Sequence, residues 1–161
     1  MRLFGAAVSL VVVNALFAPA VNAATATTTF TVTANVAVAC TITATNLVFG
    51  DYTSAQLDGQ SEITLTCTNT AEWNVGLNAG TFTGATVTTR QMTGPGAFSL
   101  AYGLFSDPAR TVNWGDTVGT DTVSGVGTGG VEVLNVYGRI PAAQNVGAGG
   151  YLDTITATIT F

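Results

Sequence analysis

Beyond residue 23 the chain holds no sustained apolar repeat of helical period, whereas alternation of apolar and polar residues recurs, the period of a half-buried strand. Ser61 to Cys67 sets Ile63, Leu65 and Cys67 on one face and Glu62, Thr64 and Thr66 on the other. Phe98 to Phe105 keeps Leu100, Tyr102 and Leu104 in phase. Trp73 to Leu77, Val87 to Met92, Val131 to Ile140 and Tyr151 to Phe161 are predicted as further strands. Turn clusters separate them: Asp58-Gly59, Asn78-Ala79-Gly80, Thr93 to Gly96, Ser106-Asp107-Pro108, Ser124 to Gly130 and Gly147 to Gly150. Short strands punctuated by Gly and Pro predict an all-β sandwich or barrel, with no linker or second domain.

The two ends carry the most information. From Ala24 to Cys40 the even positions read Ala, Ala, Thr, Phe, Val, Ala, Val, Val, Cys, while the odd ones are Thr25, Thr27, Thr29, Thr31, Thr33, Asn35, Ala37 and Ala39. This stripe is about three times as long as a typical strand of roughly 5 to 6 residues, more than one strand of a small sandwich needs. At the other end Ile155, Ala157, Ile159 and Phe161 alternate with Thr154, Thr156, Thr158 and Thr160, which predicts a final strand that belongs to the core.

Composition narrows the chemistry. The 161 residues include 29 Thr and 19 Gly but no Lys or His, and 8% are charged, against about 25% in ordinary domains. A Ser-His-Asp or Cys-His nucleophile, a His-ligated metal, a Schiff base and a P-loop lysine are therefore all excluded. A net charge of -5, with three arginines after Arg2, offers no surface to neutralise phosphates, so no nucleic-acid partner is expected.

Residues 1–23 have Arg2, an apolar run from Leu3 to Phe17 and small residues up to Ala23, the layout of a secretory signal peptide. The run is too short and interrupted for the ~20 residues of a spanning helix, so no membrane insertion is expected. Cleavage after Ala23 fits best, and Ala18-Pro19-Ala20 also has the A-x-A form. Export makes Cys40 and Cys67 candidates for a disulfide, since two thiolates are too few to hold zinc.

Several runs in order resemble a known family: Leu47-Val48-Phe49-Gly50-Asp51-Tyr52, Thr64-Leu65-Thr66-Cys67, Arg90-Gln91-Met92, Tyr102 to Thr111 leading to Trp114-Gly115-Asp116, Tyr137-Gly138-Arg139-Ile140-Pro141 with Gln144, and Gly150 to Thr154 running on to Phe161. Together they are similar to the spore coat protein U domain, the fold of archaic chaperone-usher pilins. Thr117 stands where many members have a further Gly.

The resemblance implies an incomplete immunoglobulin-like β-sandwich completed by donor-strand exchange, the strand addition seen in chaperone–pilin systems. It implies residues 24–36 as an N-terminal donor segment, with Phe30, Val32, Ala34 and Val36 as the inserted stripe, and 37–161 as the sandwich. The C-terminal strand, with Ile155, Ala157, Ile159 and Phe161, becomes the acceptor and chaperone-facing edge. The partners implied are identical or related pilin subunits, a periplasmic chaperone and an outer-membrane usher. The protein would pass through the periplasm into a cell-surface fibre serving adhesion and biofilm formation. A spore-coat or matrix protein of the same fold, or a monomeric carbohydrate-binding sandwich, are the alternatives.

Other constellations carry less. Asp107, Asp116 and Asp121 lack calcium-loop spacing and read as turn caps, so no metal or other cofactor is expected. Gly125 to Gly130 follows no βαβ pattern and reads as a flexible loop. Trp73 and Trp114 read as sandwich core rather than sugar platforms, and Arg110 and Arg139 as partners of internal aspartates, with an inter-subunit contact as the alternative. No pair of carboxylates is singled out for glycosidase work, and no enzymatic activity is expected.

Overall fold

The structure, a computed structural model, describes residues 21–161, so the expected signal peptide lies almost wholly outside the described residues. The chain divides into a unit ending at Ala34 and a unit from Asn35 to Phe161. Of the first, Val21 to Ala34 is exposed and contains no strand.

The second unit is all-β. Its strands are β1 (Cys40–Ala44), β2 (Leu57–Cys67), β3 (Glu72–Leu77), β4 (Arg90–Thr93), β5 (Ser99–Phe105), β6 (Val123–Val126), β7 (Val131–Ile140) and β8 (Ala157–Thr160). They form a five-stranded sheet, β1-β2-β7-β5-β4, and a three-stranded sheet, β6-β3-β8. Every pairing is antiparallel. The described residues contain no helix, and thus none long and apolar enough to cross a membrane.

The alternating faces supply the core. Ile63, Leu65 and Cys67 meet Trp73, Val75 and Leu77 of the other sheet, joined by Leu100, Tyr102 and Leu104 and by Trp114, Val136 and Ile140. The β2–β7 pairing sets Gly59 opposite Gly138, and the missing side chains make a trough filled by Leu47 and Phe49. A Cβ at Gly138 would lie 2.7 Å from Phe49 Cζ. The Leu47 to Tyr52 run thus closes one end of the core, where Phe49 meets Tyr102 edge-on at 6.3 Å.

Four expectations are corrected. The strand expected from Val87 begins at Arg90, because Thr86 and Thr89 close a turn on each other, Thr89 N donating to Thr86 O at 3.0 Å and Thr86 N to Thr89 Oγ1 at 3.0 Å. Asp58-Gly59 is not a turn; β2 runs through it, with Asp58 opposite Arg139 and bound to it at 2.7 and 2.8 Å. The first part of the expected Ser124 to Gly130 loop is strand β6, where Gly125 pairs with Trp73 and leaves room for the indole that a side chain would strike. The C-terminal strand spans only Ala157–Thr160, since Leu152 pairs instead with Thr93, at 2.9 and 3.0 Å.

Candidate functional site: the open seam between β1 and β8

β1 is paired along one side with β2, from Cys40↔Cys67 to Ala44↔Ile63. Its other side has no strand partner among the described residues. Among the described residues β8 is paired only with β3, from Asn74↔Thr160 to Leu77↔Ala157. These two edges, one from each sheet, approach one another at the side of the sandwich. Sheet edges are ordinarily guarded by charge or Pro, yet the strands here read Cys-Thr-Ile-Thr-Ala and Ala-Thr-Ile-Thr. Between them Cys40, Ile42, Ile155, Ala157 and Ile159 are partly buried against the core. Phe161, expected as the inward end of this face, is instead 55% exposed.

Each edge is anchored from behind. Cys40 and Cys67 form the expected disulfide, with their Cα atoms 4.1 Å apart. The ladder is prolonged past it by Thr68 N donating to Ala39 O at 2.9 Å. On the other side Asn78 Oδ1 accepts from Thr156 N at 2.9 Å, and Asn78 N donates to Thr156 O at 3.1 Å. Asp153, just before this segment, accepts from Thr81 N at 2.7 Å, Thr81 Oγ1 at 2.8 Å, Tyr102 OH at 2.6 Å and Thr154 N at 2.8 Å. Burial pushes the Asp153 carboxyl up, but these donors outweigh it and hold it below the ordinary value. Burial, then the bond to Asp153, holds the Tyr102 phenol above its own, so the hydroxyl stays a donor. Gly80, at φ +86°, leaves the space that the Asp153 carboxylate fills.

Arg90 braces the same region, a role that its place in the Arg90-Gln91-Met92 run does not announce. It is fully buried, and its guanidinium donates to Asn78 O at 2.8 Å, Val87 O at 2.8 Å, Leu77 O at 2.7 Å and Trp114 O at 2.7 Å. Burial lowers its pKa, opposed by Tyr102, Asp116, Asp121 and Asp153. The planar fork, with its five donors, reaches four carbonyls from three separate stretches of chain. Gln144 was equally inconspicuous, seen only as part of a motif. Its amide accepts from Ala101 N at 2.8 Å and donates to Ala101 O at 2.9 Å, imitating a strand partner for β5.

The remaining expected residues are placed as follows. Phe30, Val32 and Val36 are 85%, 81% and 80% exposed, Ala34 is exposed too, and none lies in a strand. Arg110 and Arg139 both reach Asp58, at 3.4 and 2.7 Å, and Arg139 first of all holds that carboxyl below its ordinary value. Trp73 and Trp114 are buried, so neither ring offers a face to a sugar. Asp107 accepts from Thr111 and Val112, and Asp121 from Thr117 N at 2.7 Å, the turn-capping role expected of them. Among the described residues no group of three or more His, Cys, Asp or Glu is placed to hold a metal ion.

The profile of the Spore Coat Protein U domain matches residues 26–158. The chain is 35% identical over 162 aligned positions to Protein U of Myxococcus xanthus, covering 90% of this chain and 89% of that protein. Its fold is similar to a chain in the crystal structure of the CsuC–CsuE chaperone–tip adhesion subunit pre-assembly complex from archaic chaperone-usher Csu pili of Acinetobacter baumannii. The TM-score is 0.55 and the identity 24%, with 78% of this chain covering 40% of that one. The two antiparallel sheets are thus an immunoglobulin-like sandwich.

Proposed function

The chain belongs to the Spore Coat Protein U domain family, and from that premise we propose that it is a structural, non-enzymatic subunit of an extracellular chaperone-usher fibre, polymerised by donor-strand exchange. One observation carries the reading: the same chain holds an uncharged open seam between β1 and β8 and an uncharged, alternating, exposed segment before β1. Among the described residues no strand fills the seam and no sheet takes up the segment. Strand addition supplies both, the backbone giving affinity and alternate side chains specificity.

The segment fits another copy better than its own seam. To pair with its own β1 it must reverse just before Cys40, yet Ala24 to Ala39 contains no Gly or Pro to make that turn. Burying Phe30, Val32 and Val36 at ~1.5 to 3 kcal/mol each gives roughly 5 to 9 kcal/mol per junction, an upper bound before main-chain hydrogen bonds. Ala34 contributes least. Before assembly the seam exposes apolar surface and unpaired backbone, which calls for a periplasmic chaperone, and export through an outer-membrane usher completes the route to a cell-surface fibre serving adhesion and biofilm formation.

Phe30→Asp and Val32→Asp test the reading, because each would carry an unpaired carboxylate into an apolar groove. The expected result is loss of fibres with the subunit's sandwich and chaperone binding intact; normal fibres from both variants overturn the donor role. The identity with Protein U favours a second reading, a secreted coat or matrix assembled by the same exchange. Immunogold labelling separates the two: filaments projecting from the cell support the fibre, a continuous layer the coat.

A further inference from the structure

Upstream of the disulfide the chain is still held from Ala37 to Ala39, and by Thr68. Thr68 N donates to Ala39 O at 2.9 Å, continuing the β1–β2 ladder by one step. The Thr68 hydroxyl accepts from Ala39 N at 3.0 Å and can offer its own proton to Ala39 O at 3.1 Å or Ala37 O at 3.4 Å. Thr68 is itself fixed, because the turn it begins is bonded to the β6–β7 connection. Thr70 N donates to Gly127 O at 2.8 Å, Gly127 N to Ala71 O at 2.7 Å and Gly129 N to Cys67 O at 3.1 Å. Ala37, Val38 and Ala39 are exposed, so packing holds them little and their position depends on one residue.

We propose that Thr68 is a latch that fixes the direction in which the N-terminal segment leaves the sandwich. Closed, it makes Ala37–Ala39 a stiff extension of β1, with no linker between the segment and the domain. Open, the chain pivots at Cys40, which the bridge to Cys67 keeps in place, so the segment swings while the β1–β2 ladder stays paired. Neutral hydrogen bonds open to water are individually weak, so the latch yields before the ladder behind the bridge does. The consequence for assembly rests on the donor reading. A segment seated in a neighbour's groove passes the latch angle on to the angle between subunits, and a latch that opens under load lets the fibre bend at that junction.

The test compares the wild type with Thr68→Val, which keeps the branched shape but not the hydroxyl, and Thr68→Ser, which restores it. Solution NMR is run on the unassembled mature chain, taken from the periplasm with any chaperone bound to it. Order parameters at the Ala37 and Val38 amides are expected near about 0.85 in the wild type and Thr68→Ser, and below about 0.6 in Thr68→Val. Thr41 and Thr43 should stay ordered in all three, which separates an opened latch from a loosened fold. Electron micrographs of surface fibres should show a shorter persistence length in Thr68→Val alone. Ala37 and Val38 as ordered in Thr68→Val as in the wild type, or Thr41 and Thr43 disordered along with them, overturn the latch. Loss of order at Ala37 and Val38 with fibre stiffness unchanged counts against the donor reading alone, because the segment then lies outside the junction.

Discussion

The hydroxyl of Tyr102 donates to Asp153 Oδ2 at 2.6 Å, tying the middle of β5 to the stretch that leads into β8. Tyr102 is 7% exposed, so this carboxylate is the partner that keeps its hydroxyl satisfied. The edge of the seam therefore depends on a contact between residues that no local pattern links.

Asp153→Ala leaves that hydroxyl buried without an acceptor and should cost about 1 to 3 kcal/mol in urea unfolding. The pH dependence has a definite sign. The carboxyl is held below its ordinary 3.8 in the folded chain, so its contribution is present above that value and lost as pH falls through the lower folded one. Between about pH 5 and about pH 2 the wild type should lose stability more steeply than Asp153→Asn. Equal slopes in paired denaturation curves would refute this.

Arg90→Met removes the donors from four carbonyls, among them the buried ones of Leu77 and Trp114. Lysine keeps the charge but replaces the planar fork with a single point, so Arg90→Lys should also be destabilised, by about 2 to 4 kcal/mol. Chemical denaturation measures the effect, and a lysine variant as stable as the wild type would show that charge alone, not fork geometry, is required.

Removing the Cys40–Cys67 bridge, which spans a sequence separation of 27, should cost about 3.5 kcal/mol on the chain-entropy account. It should also loosen β1, whose other edge has no strand partner among the described residues. In Cys40→Ser/Cys67→Ser, amide exchange at Thr41 and Thr43 should therefore accelerate more than at Val75. Uniform acceleration would indicate global destabilisation without detachment of the edge.

Gly125→Val drives a side chain into the Trp73 indole, where even a Cβ has no room. Overpacking of this kind should cost about 1 to 3 kcal/mol and disturb β6, whose register places Gly125 opposite Trp73. Trp73 fluorescence and thermal unfolding report it; an unchanged spectrum and midpoint would mean that the indole can move aside.

The period of alternation by itself determined the all-β class, most strand positions and the faces they bury. Ile63-Leu65-Cys67 and Leu100-Tyr102-Leu104 point inward as their spacing requires, because in an extended chain alternate side chains must take opposite faces. Cysteine number and the export pattern likewise anticipated the disulfide. What only the tertiary structure decided were features whose cause lies in a distant residue. Gly125 reads as loop until Trp73 is placed across from it, and Asp58-Gly59 reads as a turn until Arg139 lies opposite. Arg90 belongs to no periodic face; its position follows from carbonyls brought together by three separate stretches of chain. The C-terminal alternation extends from Ile155 to Phe161, yet the strand spans only Ala157–Thr160, because Leu152 upstream pairs with Thr93 of the other sheet rather than continuing along β3. Alternation records which way each side chain can point, whereas the length of a strand and the satisfaction of a buried charge depend on what the rest of the fold places beside them.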